Sequence, residues 1–148
     1  MKLEWNIKTF DELSNQELYN LLRLRSQIFV VEQNCVFLDM DSKDDFALHL
    51  MGTLEGKILA YARLFNAGDF YENASIGRVV IDENYRDKKW GNDLMTHAID
   101  GIANHFNQTK ITIGAQLYLQ KFYEKHGFVV TSEVYLEDDI EHIEMKIE

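Results

Sequence analysis

The stretch Ser75–Phe106 does most to limit what this chain can fold into. It opens with Ser75-Ile76-Gly77-Arg78-Val79-Val80-Ile81, apolar and β-branched, which suits a buried strand. It closes with a helix whose Leu94, Met95, Ala98, Ile99, Ile102 and Phe106 recur at spacings of three and four, the pattern of one buried face. Between them, Tyr85-Arg86-Asp87-Lys88-Lys89-Trp90-Gly91 puts three cations, Arg86, Lys88 and Lys89, into four residues where the helix begins. A helix N-terminus presents unpaired backbone N–H groups and a partial positive charge. A basic turn at that point is a natural seat for phosphate. The chain carries a formal net charge of −10. That balance argues against nucleic-acid binding and makes a local concentration of cations more telling.

The remaining segments supply partners for this unit. Leu3–Lys8 alternates Leu3, Trp5 and Ile7 with polar residues, as a short strand does. Ser14 caps a helix and Glu17 completes a capping box. Leu18, Leu21, Leu22, Arg25, Ile28 and Phe29 continue its face to a break near Glu32-Gln33-Asn34. Asp39-Met40-Asp41-Ser42-Lys43-Asp44-Asp45 reads as a solvated acidic loop or an electrostatic lure for a cation. It is no calcium loop, because Asp44 and Leu50 stand where an EF-hand needs glycine and glutamate, and no metal is expected. His49–Leu54 and Lys57–Phe65 flank Glu55-Gly56 as a hairpin. After the loop Asn66–Asn73 and the central unit come a strand at Ile111–Ala115 and a helix over Leu117–His126 ended by Gly127. Strands at Phe128–Leu136 and His142–Ile147 finish the chain. The order β-α-(α)-β-β-β-α-β-α-β-β, without linker or repeat, predicts one mixed α/β domain over residues 1–148. The lone Cys35 excludes an internal disulfide and fits a reducing cytoplasm. The opening Met1-Lys2-Leu3-Glu4-Trp5 lacks a signal-peptide core, and no run approaches a membrane span.

Three sets of residues resemble the GNAT acetyltransferase superfamily, and within it the ElaA-like branch. Arg86-Asp87-Lys88-Lys89-Trp90-Gly91 is similar to the family's Q/R-x-x-G-x-G/A turn, with Lys89 in place of the first glycine. Phe122-Tyr123-Glu124-Lys125-His126-Gly127-Phe128 is similar to its F-Y-x-x-x-G-F. Arg25 to Gln33 with Cys35, Ala115-Gln116, Tyr135-Leu136-Glu137-Asp138 and His142-Ile143-Glu144-Met145 resemble the ElaA-like signature. The matches follow one another in order along nearly the whole chain. They imply a GNAT-like mixed sheet, mostly antiparallel, flanked by helices. They also imply an acetyl-CoA-dependent N-acetyltransferase acting on a small-molecule or peptide amine, without metal, with a homodimer as a compatible assembly.

The resemblance also assigns roles. The basic turn, Arg86, Asp87, Lys88, Lys89, Trp90, Gly91 and Asn92, would hold the pyrophosphate of CoA. A bulge in the strand would offer the backbone of Val79, Val80 and Ile81 to the thioester carbonyl, and Gln116, Leu119 and Gln120 would face the pantetheine arm or the adenine end. Tyr123 would be the general acid toward the sulfur, since a phenol is protonated at neutral pH. The base is open among Glu32, expected to be partly buried with a raised pKa, His142, His49 and a water chain. Cys35 is expected to be core or loop. Two other readings share this fold. One is a non-catalytic acyl-CoA-binding module. The other is an autoinducer-synthase-like acyltransferase, whose amino-terminal pattern Arg25, Phe29, Glu32 and Asp41–Asp45 resemble. A different phosphate-bearing cofactor finds no support in a Gly-x-x-x-x-Gly-Lys-Ser/Thr or Gly-x-Gly-x-x-Gly motif.

Overall fold

Four antiparallel strands, β1 (Glu4–Thr9), β2 (Leu48–Leu54), β3 (Lys57–Phe65) and β4 (Ser75–Ile81), pair in chain order to form the first sheet. The structure is a computed structural model describing residues 2–148; Met1 lies outside them. The β2–β3 hairpin turns at Glu55 and Gly56, with φ of 51° and 79°. Such a two-residue turn carries the twist that the flanking strands require.

β3 is buried on both faces because a helix covers each side. Helix α1 (Asn15–Ser26) starts as its sequence predicts: Glu17 N–H donates to Ser14 Oγ at 3.0 Å and Ser14 N–H donates to Glu17 Oε1 at 2.9 Å. Leu21, Leu24 and Ile28 then pack against Met51, Ile58, Tyr61 and Val80. On the other side, α2 (Trp90–Phe106) buries Leu94, Met95, Ala98 and Ile102 in one cluster with Leu50, Ala60, Ala62 and Leu64. Beyond α1 the chain passes into a π-helical turn, Gln27–Glu32, of the kind that often marks functional sites.

The second sheet has β8 (Ile140–Ile147) at its centre, paired with β5 (Ile111–Gln116), β6 (Val129–Val130) and β7 (Tyr135–Glu137). The 3₁₀ turn Leu117–Leu119 and α3 (Gln120–Glu124) follow β5, and Gly127 closes them at φ 97°. The single strand expected over Phe128–Leu136 is interrupted. Glu144 N–H donates to the Ser132 hydroxyl at 2.9 Å, so a side chain takes the place of the ladder carbonyl there. The β7–β8 turn, Asp138 and Asp139, has φ of 52° and 62°.

The two sheets touch at one isolated parallel bridge, Ala74 with Ile111, where Thr112 N–H donates to Ala74 O at 2.8 Å. Beyond it β4 and β5 belong to different sheets and part like the arms of a V.

The Asp39–Asp45 segment is not the solvated loop that its composition suggests. Asp39 and Asp44 are buried with Arg25 and Arg63 in a six-residue charge network. Arg25 Nε donates to Asp39 Oδ2 at 2.9 Å and its Nη1 to Asp44 Oδ1 at 2.7 Å. Arg63 binds both Asp41 oxygens at 2.8 Å, and Arg78 Nε donates to Asp39 Oδ1 at 2.8 Å. Carboxylates engaged by arginines in this way offer no free charge to lure a cation. The loop ties α1, β3 and β4 together instead.

Candidate active site

A cavity of about 510 Å³ fills the V between β4 and β5. Its first wall is a bulge. Tyr61 pairs with Val80 and Arg63 with Gly77, so Arg78 and Val79 together oppose Ala62 alone. Arg78 takes φ 49°, a conformation costly for a side-chain-bearing residue. The guanidinium holding on to Asp39 offsets that cost. The bulge takes backbone groups out of the ladder on a wall that Val79, Val80 and Ile81 line.

At one mouth of the V lies the basic turn. Lys89 stands at φ 60°, ψ 31°, and α2 begins immediately after it with no side-chain cap. The first N–H groups of α2 are thereby left for a ligand. Lys89 occupies the left-handed conformation that favours glycine. Lys89→Gly should therefore raise stability by about 1 kcal/mol, seen as a rise of roughly 2–4 °C in a thermal melt. Arg86 and Gly91 line the cavity. Trp90 does not serve as a ligand side chain; it is buried in the core, stacked on Tyr85 at 5.7 Å. Asp87, Lys88 and Lys89 stay outside the cavity wall, and Asn92 Oδ1 meets His126 Nε2 at 3.0 Å. The donors present, arginine and lysine beside an uncapped helix start, fit a pyrophosphate.

Glu32 departs from expectation. Arg86 donates to both of its oxygens, at 2.9 and 2.6 Å, and that pairing holds the carboxyl below its ordinary value instead of above it. The next residue, Gln33, exchanges amide hydrogen bonds with Gln116 at 3.4 and 3.5 Å, so two neighbours at the end of the π turn bridge the V. His49 is structural. Its Nε2–H donates to Asp44 O at 2.9 Å, its Nδ1 accepts from Tyr61 at 2.7 Å, and burial lowers its pKa. Cys35 also lines the cavity; its thiol donates to Asp138 O at 3.4 Å.

The second sheet turns its polar face to the cavity. Strand register sets Gln116 opposite His142 and His142 opposite Tyr135 in one row. The His142 Nδ1–H donates to Ile140 O at 2.8 Å, leaving Nε2 unprotonated in the neutral ring, 3.6 Å from Glu137 Oε2. Leu119 and Tyr123 complete the wall from the α3 side. Tyr123 is 6% exposed, and burial raises its phenol above the ordinary value, so it is fully protonated at neutral pH. Phe37, Phe65, Phe70 and Tyr71 also line this cavity outside any motif, and so does Glu137, which the Tyr135–Asp138 motif contains without a role. The period-two match of Tyr135 and Glu137 with the His142 face was the signal available for Glu137. The aromatics of Phe65–Tyr71 carried none.

Among the described residues, no helix is long and apolar enough to cross a membrane and no cluster of metal-ligating side chains occurs. A family profile described as "Acetyltransferase (GNAT) domain" matches residues 43–148. Protein ElaA of Escherichia coli is 40% identical over 145 residues, 97% of this chain and 95% of that protein. The solved structure of an acyl-CoA N-acyltransferase from Pseudomonas aeruginosa superposes with a TM-score of 0.92 at 39% identity, covering 99% of this chain and 100% of that one. A CoA-dependent acyl-homoserine lactone synthase, BjaI, shares the fold at a TM-score of 0.78 but only 15% identity, covering 98% of this chain and 82% of that one.

Proposed function

The chain belongs to the GNAT acetyltransferase family, and on that footing we propose that it is an acetyl-CoA-dependent N-acetyltransferase acting on a primary amine by direct attack on the thioester. One observation carries the reading: the bulged β4 and Tyr123 line one cavity together with Arg86 and Gly91 of an uncapped, basic helix start. Acetyl-CoA, when bound, supplies an acyl carbon already activated as a thioester. The protein then holds it, polarises it and moves protons.

Arg86 and Lys88, with the N–H groups of Gly91 and Asn92, hold the pyrophosphate. Backbone groups freed at Arg78 and Val79 receive the thioester oxygen as charge builds on it. His142 Nε2 accepts the proton that the incoming ammonium must lose, and Glu137 at 3.6 Å stabilises the imidazolium. The amine nitrogen forms its bond to the acyl carbon as the carbon–sulfur bond breaks. Tyr123 donates to the departing sulfur and is restored by the second proton, which the nitrogen sheds as the amide forms. Burial keeps the phenol protonated, so its proton is in place when the sulfur leaves. One ammonium and one thioester yield one amide, one thiol and one released proton. Glu32 is not needed as a base here; it occupies Arg86 until phosphate competes for it.

Calorimetric titration with acetyl-CoA, free CoA and NAD tests the reading. Both CoA species should bind and raise the melting temperature, while NAD does neither. An Arg86→Ala/Lys88→Ala variant should lose about tenfold or more in affinity, since charge-assisted hydrogen bonds are the strong ones. Absence of acetyl-CoA binding at about millimolar concentration, about −4 kcal/mol of affinity, would overturn it.

A further inference from the structure

The far end of the same cavity carries the chemistry that would choose the amine. Its charges are divided. The carboxylates of Asp39, Asp41 and Asp44 are engaged by Arg25, Arg63 and Arg78. Glu137 has no arginine or lysine partner among the described residues; its nearest cationic neighbour is His142 Nε2, at 3.6 Å and only when protonated. Beside it the Tyr71 and Tyr135 hydroxyls converge over Gly114, where an added Cβ would stand 3.1 and 2.8 Å from them. Both phenol oxygens therefore lie against the backbone of Gly114, in space that a side chain would fill, and Tyr71 feels the carboxylates of Glu137 and Glu144. Those are acceptors for an ammonium group.

Away from that acidic corner the wall is aromatic. Tyr71 meets Phe70 edge-on at 4.9 Å, and Phe70 stacks on Phe65 at 5.4 Å and 8°. The Arg63 guanidinium lies 4.7 Å from the Phe65 ring and the Lys43 ammonium 5.9 Å from the Phe70 ring. A ligand reaching from Glu137 along these rings gains by being apolar or aromatic. A second positive charge on it would lie among apolar rings and find the nearby Asp41 and Asp44 carboxylates already engaged by arginines.

We infer that the acceptor is an arylalkyl monoamine, its ammonium held by Glu137 and Tyr71 and its ring set among Phe65, Phe70 and Tyr71. This rests on the acetyltransferase reading, which fixes the end of the cavity the amine enters. It excludes short diamines as good acceptors. A peptide amine would be a good acceptor only where its first side chain is aromatic.

The test is equilibrium binding of phenethylamine, hexylamine and putrescine in the presence of free CoA, followed by turnover with acetyl-CoA. Phenethylamine should bind about tenfold or more tightly than putrescine. Glu137→Gln should weaken phenethylamine binding by about fivefold or more, with an unchanged melt because Glu137 is exposed. Phe70→Ala should remove the advantage of phenethylamine over hexylamine. Putrescine binding as tightly as phenethylamine, or binding indifferent to Glu137, overturns the inference. The two readings fail separately. Glu137-dependent phenethylamine binding without any acetyl-CoA binding would sink the acetyltransferase reading and leave this amine site standing. Acetylation of amines that ignores Glu137 would do the reverse.

Discussion

Tyr123→Phe is expected to lower kcat by about a hundredfold or more, a loss of about 3 kcal/mol in the transition state. Acetyl-CoA affinity and thermal stability should stay nearly constant. The physical ground is that the phenol is buried and makes no hydrogen bond among the described residues, so removing its oxygen orphans no partner there. The ring itself packs edge-on against Phe122 at 5.2 Å and Phe128 at 5.9 Å, contacts that phenylalanine keeps. What disappears is a donor aimed at charge that exists only as the sulfur leaves. Steady-state rates beside calorimetric affinity for acetyl-CoA separate the outcomes. An unchanged kcat would remove Tyr123 from the chemistry. A protein that binds acetyl-CoA but never turns over, whatever stands at this position, would be a binding module and not an enzyme.

Arg25→Met should be the most damaging single change to stability, costing about 3–5 kcal/mol and roughly 10 °C or more of melting temperature. Arg25 is 0% exposed and is bound to Asp39 and Asp44, so its loss leaves two inward-facing carboxylates short of charge and donors. The damage should reach catalysis as well. Asp39 is shared between Arg25 and Arg78, and Arg78 is itself the left-handed residue of the β4 bulge. Asp39→Asn should thus lower kcat in the fraction that stays folded. The same network sets the acid limit. Burial by itself would raise the Asp41 carboxyl, but hydrogen bonds and charge from Arg63 and Arg78 bring it down to about 2, and Asp44 is likewise held low against its burial by Arg25 and Arg63. Groups depressed on folding stabilise fully above their unfolded value, about 4, and that contribution is lost as pH falls toward the folded one. Thermal melts from pH 7 downward should be level to about pH 4 and then fall steeply, and the Arg25→Met protein should lack the part of that fall that Asp44 owes to Arg25. A melting profile falling equally in both proteins would show that Arg25 adds no acid-sensitive stability through Asp44.

Local patterns were open to reading in the sequence because the physics behind them is local. The Ser14–Glu17 box, the buried face of α2, the Ser75–Ile81 strand and the Glu55-Gly56 turn each depend on residues within one or two turns of chain, and each stands in the structure with nearly the bounds expected. The basic turn was equally legible, down to Lys89 standing where a glycine conformation is required. Tertiary structure alone decided the rest. Asp39–Asp45 reads as a solvated acidic run until three arginines, from α1, β3 and β4, are brought to it. Spacing along the chain gives no hint of that charge pairing, because the partners lie 14 to 39 residues away. Glu32 was expected to carry a raised pKa, yet Arg86, 54 residues on, turns the shift downward. His142 and Glu137 become neighbours of Tyr71 only through β-sheet register and the parting of β4 from β5. Sequence determines what each segment can bury and how it begins and ends; which charges meet is fixed only when distant segments pack and water leaves between them.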